Sequence, residues 1–210
     1  MNKKQMVNVV IVLICMSLLL MLISGVNAFA YSPEYIDVTS RITEQEEKQD
    51  LAHQWADCAR ALGHTDDDPI IKAAGQHWME AEETISALEK LSSYTVRERD
   101  ILASVIMQEA PYCTKEHKTY VAQVVLNRVA DSRFPDSIER VVFAPGQYPG
   151  IHIRSDISAE AYEAAELAMM GLDDMPSDIV YQANFKQGKE VWKAIAVDTG
   201  YFKSTTYFCR

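Results

Sequence analysis

The sequence predicts a mainly α-helical protein of the α+β class, a helical hairpin followed by a helical domain with a small β-element. Three observations predict it. Between residues 43 and 170, apolar residues recur at helical spacing in one segment after another, bracketed by capping residues. Segments rich in β-branched and aromatic residues, "DIVYQANF" and "YFKSTTYF", come only after residue 177. The 210 residues are 48% hydrophobic and 24% charged, which suits one packed domain with extensions rather than a disordered chain.

The chain opens with Asn2-Lys3-Lys4, an almost wholly apolar stretch over residues 7–26, and the small residues Ala28 and Ala30 around Phe29. This is the form of a secretory signal peptide over residues 1–30. The alternative is an uncleaved anchor that keeps the protein on the membrane, since about 20 apolar residues just span a bilayer. Ile14 before Cys15 is too bulky for the usual lipoprotein cleavage site. Either way the remainder is expected outside the cytoplasm, secreted or associated with the wall. Losing residues 1–30 removes Lys3 and Lys4 and no acid, which moves the formal charge from −10 to −12. So acidic a chain is a poor partner for nucleic acid.

Residues 31–43 read as an extended linker. Residues 43–62, rich in Glu, Gln, Ala and Leu, read as a helix closed by Gly63. The acidic turn "HTDDDP" lacks the glycine and closing glutamate of a calcium loop, so no metal is expected there. Residues 70–91 read as a second helix, with Ile71, Ala74, His77, Trp78 and Ala81 along one face. The extension over residues 31–93 is therefore an αα-hairpin, with no chemical constellation of its own and a partner its residues do not name. Thr95 and Glu98 form a capping box that starts the next helix, and Pro111 disfavours helical geometry at Ala110 and ends it. "KTYVAQVVLNRVADS" is apolar nearly all round and reads as a central, buried helix. A loop, one short helix and a second loop with Pro145-Gly146 follow. Ser158 then caps a regular helix closed by Gly171. "KEVWKAIAVD", between the two β-rich segments, fits either helix or strand.

Leu102, Val105, Ile106 and Glu109 fall at i, i+3, i+4 and i+7, so a carboxylate ends an apolar stripe. Burial on that stripe, and a place in the last turn of its helix, both favour the protonated acid that a general acid on a glycosidic oxygen requires. The competing reading is a buried glutamate paired with Arg128. Cys58, Cys113 and Cys209 remain after residue 30. A Cys113–Cys209 bridge that ties down the C-terminus is one reading, and three free thiols are the other.

"ILASVIMQEA" followed by "EHKTYVAQVVLNRVADSRFPDSIERVVFAPGQY" resembles the SleB-type cell wall hydrolases, the spore cortex-lytic enzymes of germination. Val124 to Val129, Phe134-Pro135, Ile138 and Gln147-Tyr148 carry the resemblance in order and spacing, and it covers residues 94–210. It implies a lysozyme-like, lytic transglycosylase-like fold. It also implies cleavage of peptidoglycan between N-acetylmuramic acid and N-acetylglucosamine, without a cofactor. The family's catalytic glutamate falls on Glu109, where it would act as acid and then base to close a 1,6-anhydromuramic acid. Glu116 matches a second family acid, or is only a helix-start residue. Gln147 and Tyr148 are candidates to bind the glycan by hydrogen bonding and ring stacking. Asn127 either orients a sugar or satisfies backbone groups, and Tyr181 and Asn184 either line the cleft or pack. The chain departs from the family at Pro149, where serine is usual, at Tyr181-Gln182-Ala183-Asn184-Phe185, and at Thr206, in the place of a histidine. Three alternatives stand beside this reading: a hydrolytic muramidase, a non-catalytic wall-binding or sporulation assembly protein, and a metallo-amidase. The last has only Cys113-x-x-x-His117 in its favour, and no His-Glu-x-x-His pair. No nucleotide loop or dinucleotide fingerprint is present.

Overall fold

A computed structural model describes residues 33–200 and 203–210. The predicted signal peptide and the first two residues of the last predicted strand lie outside them. The described chain is mainly helical with one small antiparallel sheet, the class the sequence predicts.

Helix α1 spans Thr39–Ala61 and α2 spans Pro69–Ser92. They form the expected hairpin through an alanine seam of Ala52, Ala56 and Ala59 on α1 and Ala74 and Ala81 on α2, all buried. Small side chains let the two helices approach closely. The acidic turn is a helix start: Asp68 caps α2 by accepting from the Ile70 N–H at 3.0 Å, and Pro69 takes the first position, where no N–H is needed.

The predicted linker over residues 31–43 needs correction. Tyr35 bridges Thr95 in antiparallel fashion, and Ile36 and Val38 are only 6% and 5% exposed. They pack with Leu88 and Leu91 of α2 into the same core as the helices that follow. Their apolar side chains, spaced by two, follow strand-like logic that a short segment hides from periodicity.

Helix α3, Val96–Glu109, starts on the Thr95–Glu98 capping box, with both reciprocal hydrogen bonds formed. Its residues from Ile101 to Ile106 are all buried, so it is a central helix. Helix α4, Lys115–Ala130, begins at Thr114, whose hydroxyl accepts from the His117 N–H. Short α5, Ile138–Val142, and α6, Ala159–Met170, pack around them. Ser158 caps α6, and Gly171 closes it at φ 73°, a left-handed conformation suited to glycine.

Strands β1, Tyr181–Ala183, β2, Val191–Asp198, and β3, Lys203–Cys209, form an antiparallel sheet in the order β1-β3-β2. The ambiguous segment is therefore a strand. A register shift between Val191 and Lys193 breaks the alternation. Trp192 and Lys193 consequently both reach Tyr120, by ring contact and by hydrogen bond. The sheet packs on α4 through Tyr120, Val124, Met175, Ile179 and Phe208.

The proposed disulfide is also corrected: Cys58, Cys113 and Cys209 are all free. Cys113 packs against the α3–α6 core from its loop, whereas Cys209 is fully buried at the end of β3, opposite Tyr181 and Val191.

Candidate functional site

The apolar stripe on α3 explains where Glu109 stands. Leu102, Val105 and Ile106 are fully buried, and one turn later the stripe leaves the core and Glu109 is exposed. Ala110 adopts φ −137° and ψ 43°, so the helix stops there, as Pro111 requires. The burial expected of Glu109 is therefore corrected: the free protein leaves its carboxylate in water. The glutamate–Arg128 pair is also absent. Glu109 instead accepts from Gln108 Nε2 at 3.0 Å. The same Nε2 reaches the Pro149 carbonyl at 3.5 Å, which sets the acid beside the loop that follows α5.

Arg128, one turn from the end of α4, organises that loop. Its Nε donates to the Val180 carbonyl at 2.7 Å, and its Nη1 to Gln147 Oε1 at 2.9 Å and to the Tyr148 hydroxyl at 3.4 Å. The rings of Phe134 and Tyr148 flank the guanidinium, at 5.5 and 5.7 Å. Arg128 is 6% exposed, and no carboxylate among the described residues pairs with it. Sequence reasoning missed this role. The available signal was a cation that follows the apolar run Val124-Val125-Leu126 on a largely buried helix.

Gln147 is exposed and held by Arg128, so its amide N–H groups remain available to a ligand. Tyr148 is not positioned as expected. At 5% exposure its ring belongs to the core, so stacking on a sugar is unavailable to it. Burial, with the nearby Glu109 carboxylate, pushes its hydroxyl up to about 12 against the opposing pull of Arg128.

Asn127 resolves toward the structural alternative. It is 3% exposed, and its Nδ2 donates to the carbonyls of Pro176 and Ile179 at 3.0 and 2.9 Å, leaving no amide proton for a sugar. Tyr181 is half-buried, with its ring edge-on to Phe134 at 6.4 Å, and Asn184 is exposed just beyond β1.

Glu116 lies in the first turn of α4, within a different polar group. It accepts from Lys193 Nζ at 2.6 Å and from the Tyr120 hydroxyl at 2.9 Å. Tyr120 also accepts from Lys193 at 2.6 Å and hydrogen-bonds Asp174. The hydrogen bonds from Lys193 and then Tyr120 hold the Glu116 carboxyl below the usual carboxylate range. No hydrogen bond or ion pair among the described residues joins this group to Glu109. It locks β2 onto α4. Cys113 and His117 meet no third donor, and no set of three His, Cys, Asp or Glu side chains among the described residues is arranged to hold a metal.

An exposed carboxylate at a helix end thus stands beside a loop whose glutamine is held by Arg128, with a small sheet packed on the next helix. Residues 114–208 match the family model described as Cell Wall Hydrolase. The match begins just after Glu109. Two solved structures are similar to part of the chain. One is the catalytic domain of the Bacillus cereus SleB protein, at 21% identity over 56% of this chain and 92% of that one, with a TM-score of 0.45. The other is the catalytic domain of the germination-specific lytic transglycosylase SleB from Bacillus anthracis, at 22% identity over 56% and 97%, with a TM-score of 0.43. No curated protein sequence matches the chain.

Proposed function

We propose that the domain cleaves the glycan strands of peptidoglycan between N-acetylmuramic acid and N-acetylglucosamine as a lytic transglycosylase. The match to the cell wall hydrolase model supports peptidoglycan as the polymer. The observation that carries the mechanism is Glu109, an exposed carboxylate fixed at the end of a buried helix and free of Arg128. Glu109 protonates the leaving oxygen as positive charge develops on the muramic acid. The resulting carboxylate then takes the proton from that sugar's 6-hydroxyl, whose oxygen closes the 1,6-anhydro ring. One carboxyl group performs both transfers, so no second acid is needed. Glu116, the other candidate acid, is already committed to Lys193 and Tyr120.

In this reading Gln147, held by Arg128, offers its amide to the glycan, with Tyr181 and Asn184 as further candidate contacts. An export signal over residues 1–30 would carry the enzyme to the wall or the spore.

The test is mass spectrometry of muropeptides released from purified cortex and vegetative peptidoglycan. Products ending in 1,6-anhydromuramic acid are expected, and Glu109→Gln is expected to lower their release by at least ~10²–10⁴-fold. Products with reducing muramic acid ends would assign a hydrolytic muramidase instead. Undiminished release by the variant would remove Glu109 from the mechanism.

A further inference from the structure

A buried arginine normally has a carboxylate, because an uncompensated charge is costly to remove from water. Arg128 has none among the described residues, yet it is 6% exposed. Three neutral oxygens take its place, from Val180, Gln147 and Tyr148. Two of these acceptors belong to the loop beside Glu109, and the third immediately precedes β1, which begins at Tyr181. One rigid, planar cation thus ties the loop beside Glu109 and the start of β1 to the end of α4. Lysine offers a single point of attachment and cannot reproduce this fork.

Gln147 is the consequential partner. It is exposed, and an exposed glutamine ordinarily samples several rotamers, which a ligand must then freeze. The 2.9 Å bond from Arg128 fixes its Oε1 toward the protein and turns its amide N–H groups outward.

We infer that Arg128 is a positioning residue for glycan binding, acting through Gln147, which it holds in one orientation beside Glu109. This rests on the proposed reading of Gln147 as a glycan contact. It does not depend on Glu109 being the acid. Substrate recognition in this chain is then set by a side chain that never touches the sugar.

The experiment measures the dissociation constant for purified glycan fragments in the full chain carrying Glu109→Gln, so that cleavage does not interfere. On that background Arg128→Lys and Gln147→Ala are each expected to weaken binding about tenfold, the size of one well-oriented hydrogen bond. The two together should weaken it no further, because both remove the same oriented amide. Gln147→Glu tests the coupling without disturbing the core, since residue 147 is exposed. Its carboxylate pairs with Arg128 but presents no N–H, so binding should fall as in Gln147→Ala while thermal stability rises. A merely structural arginine predicts a lower Tm for Arg128→Lys with glycan affinity unchanged, or losses that multiply in the double variant. Either result overturns the inference, as does full binding by Gln147→Ala. Glycan binding without cleavage by the unmodified protein would instead refute the lytic mechanism and leave the Arg128 result to stand on its affinities.

Discussion

Cutting the chain before Tyr94 provides a direct test of how the helical core is built. The family match begins at Thr114, and the catalytic candidates all lie beyond residue 94, yet the residues before it share the same core. Ile36, Val38, Leu88 and Leu91 are 6%, 5%, 1% and 0% exposed, and they pack directly with the buried residues of α3 and α6. Burying one such side chain contributes ~1.5–3 kcal/mol, so the four together contribute about 6–12 kcal/mol. That rivals the ~5–15 kcal/mol of net stability typical of a whole domain. The cut also removes two backbone hydrogen bonds, from Ile36 N–H to the Tyr94 carbonyl at 3.1 Å and from Val96 N–H to the Glu34 carbonyl at 2.8 Å. Residues 94–210 expressed alone should therefore lack a cooperative thermal transition and expose apolar surface, whereas residues 34–210 should unfold cooperatively. Leu91→Ala refines the test, with an expected loss of ~2–5 kcal/mol. Circular dichroism and dye binding across a thermal ramp supply the readout. A 94–210 fragment that melts cooperatively at the same temperature as 34–210 would refute the reasoning.

Three further outcomes are expected. Glu109→Gln should leave stability within about 0.5 kcal/mol, because the residue is exposed and its hydrogen bond among the described residues is to Gln108, so lost cleavage in thermally intact protein separates chemistry from folding. His117 is 2% exposed, its Nδ1 has no hydrogen-bond partner, and burial lowers its pKa. Its contribution is thus complete above the usual histidine value of about 6.5 and is lost as pH falls from there through the lower folded value, so Tm should drop on that side and His117→Phe should flatten the drop. Peptide mapping after alkylation of the native protein should label exposed Cys58 rapidly and buried Cys209 only on unfolding; a Cys113–Cys209 linked peptide would contradict the observed free thiols.

What the sequence determined by itself is the set of features written within a few residues. The Thr95–Glu98 box and Pro111 bound α3 and so place Glu109 in its final position; Ser158 and Gly171 bound α6 in the same way. Capping and φ restriction act over one helical turn, so their signals survive without any tertiary partner. Tertiary structure decided the rest. Asn127 and Arg128 find their acceptors 52 residues away, and Glu116 its lysine 77 residues away. Nothing in the spacing of polar residues along a helix records such partners. Tyr148 shows the same limit: an aromatic side chain after glutamine suits a sugar platform or a core equally well, and only the packing of α3, α5 and Arg128 around it chose the core. Glu109 joins the two levels. Its stripe and its helix end were local facts, but its exposure was decided by how the neighbouring elements pack, which bury Ala110 next to it and leave Glu109 outside.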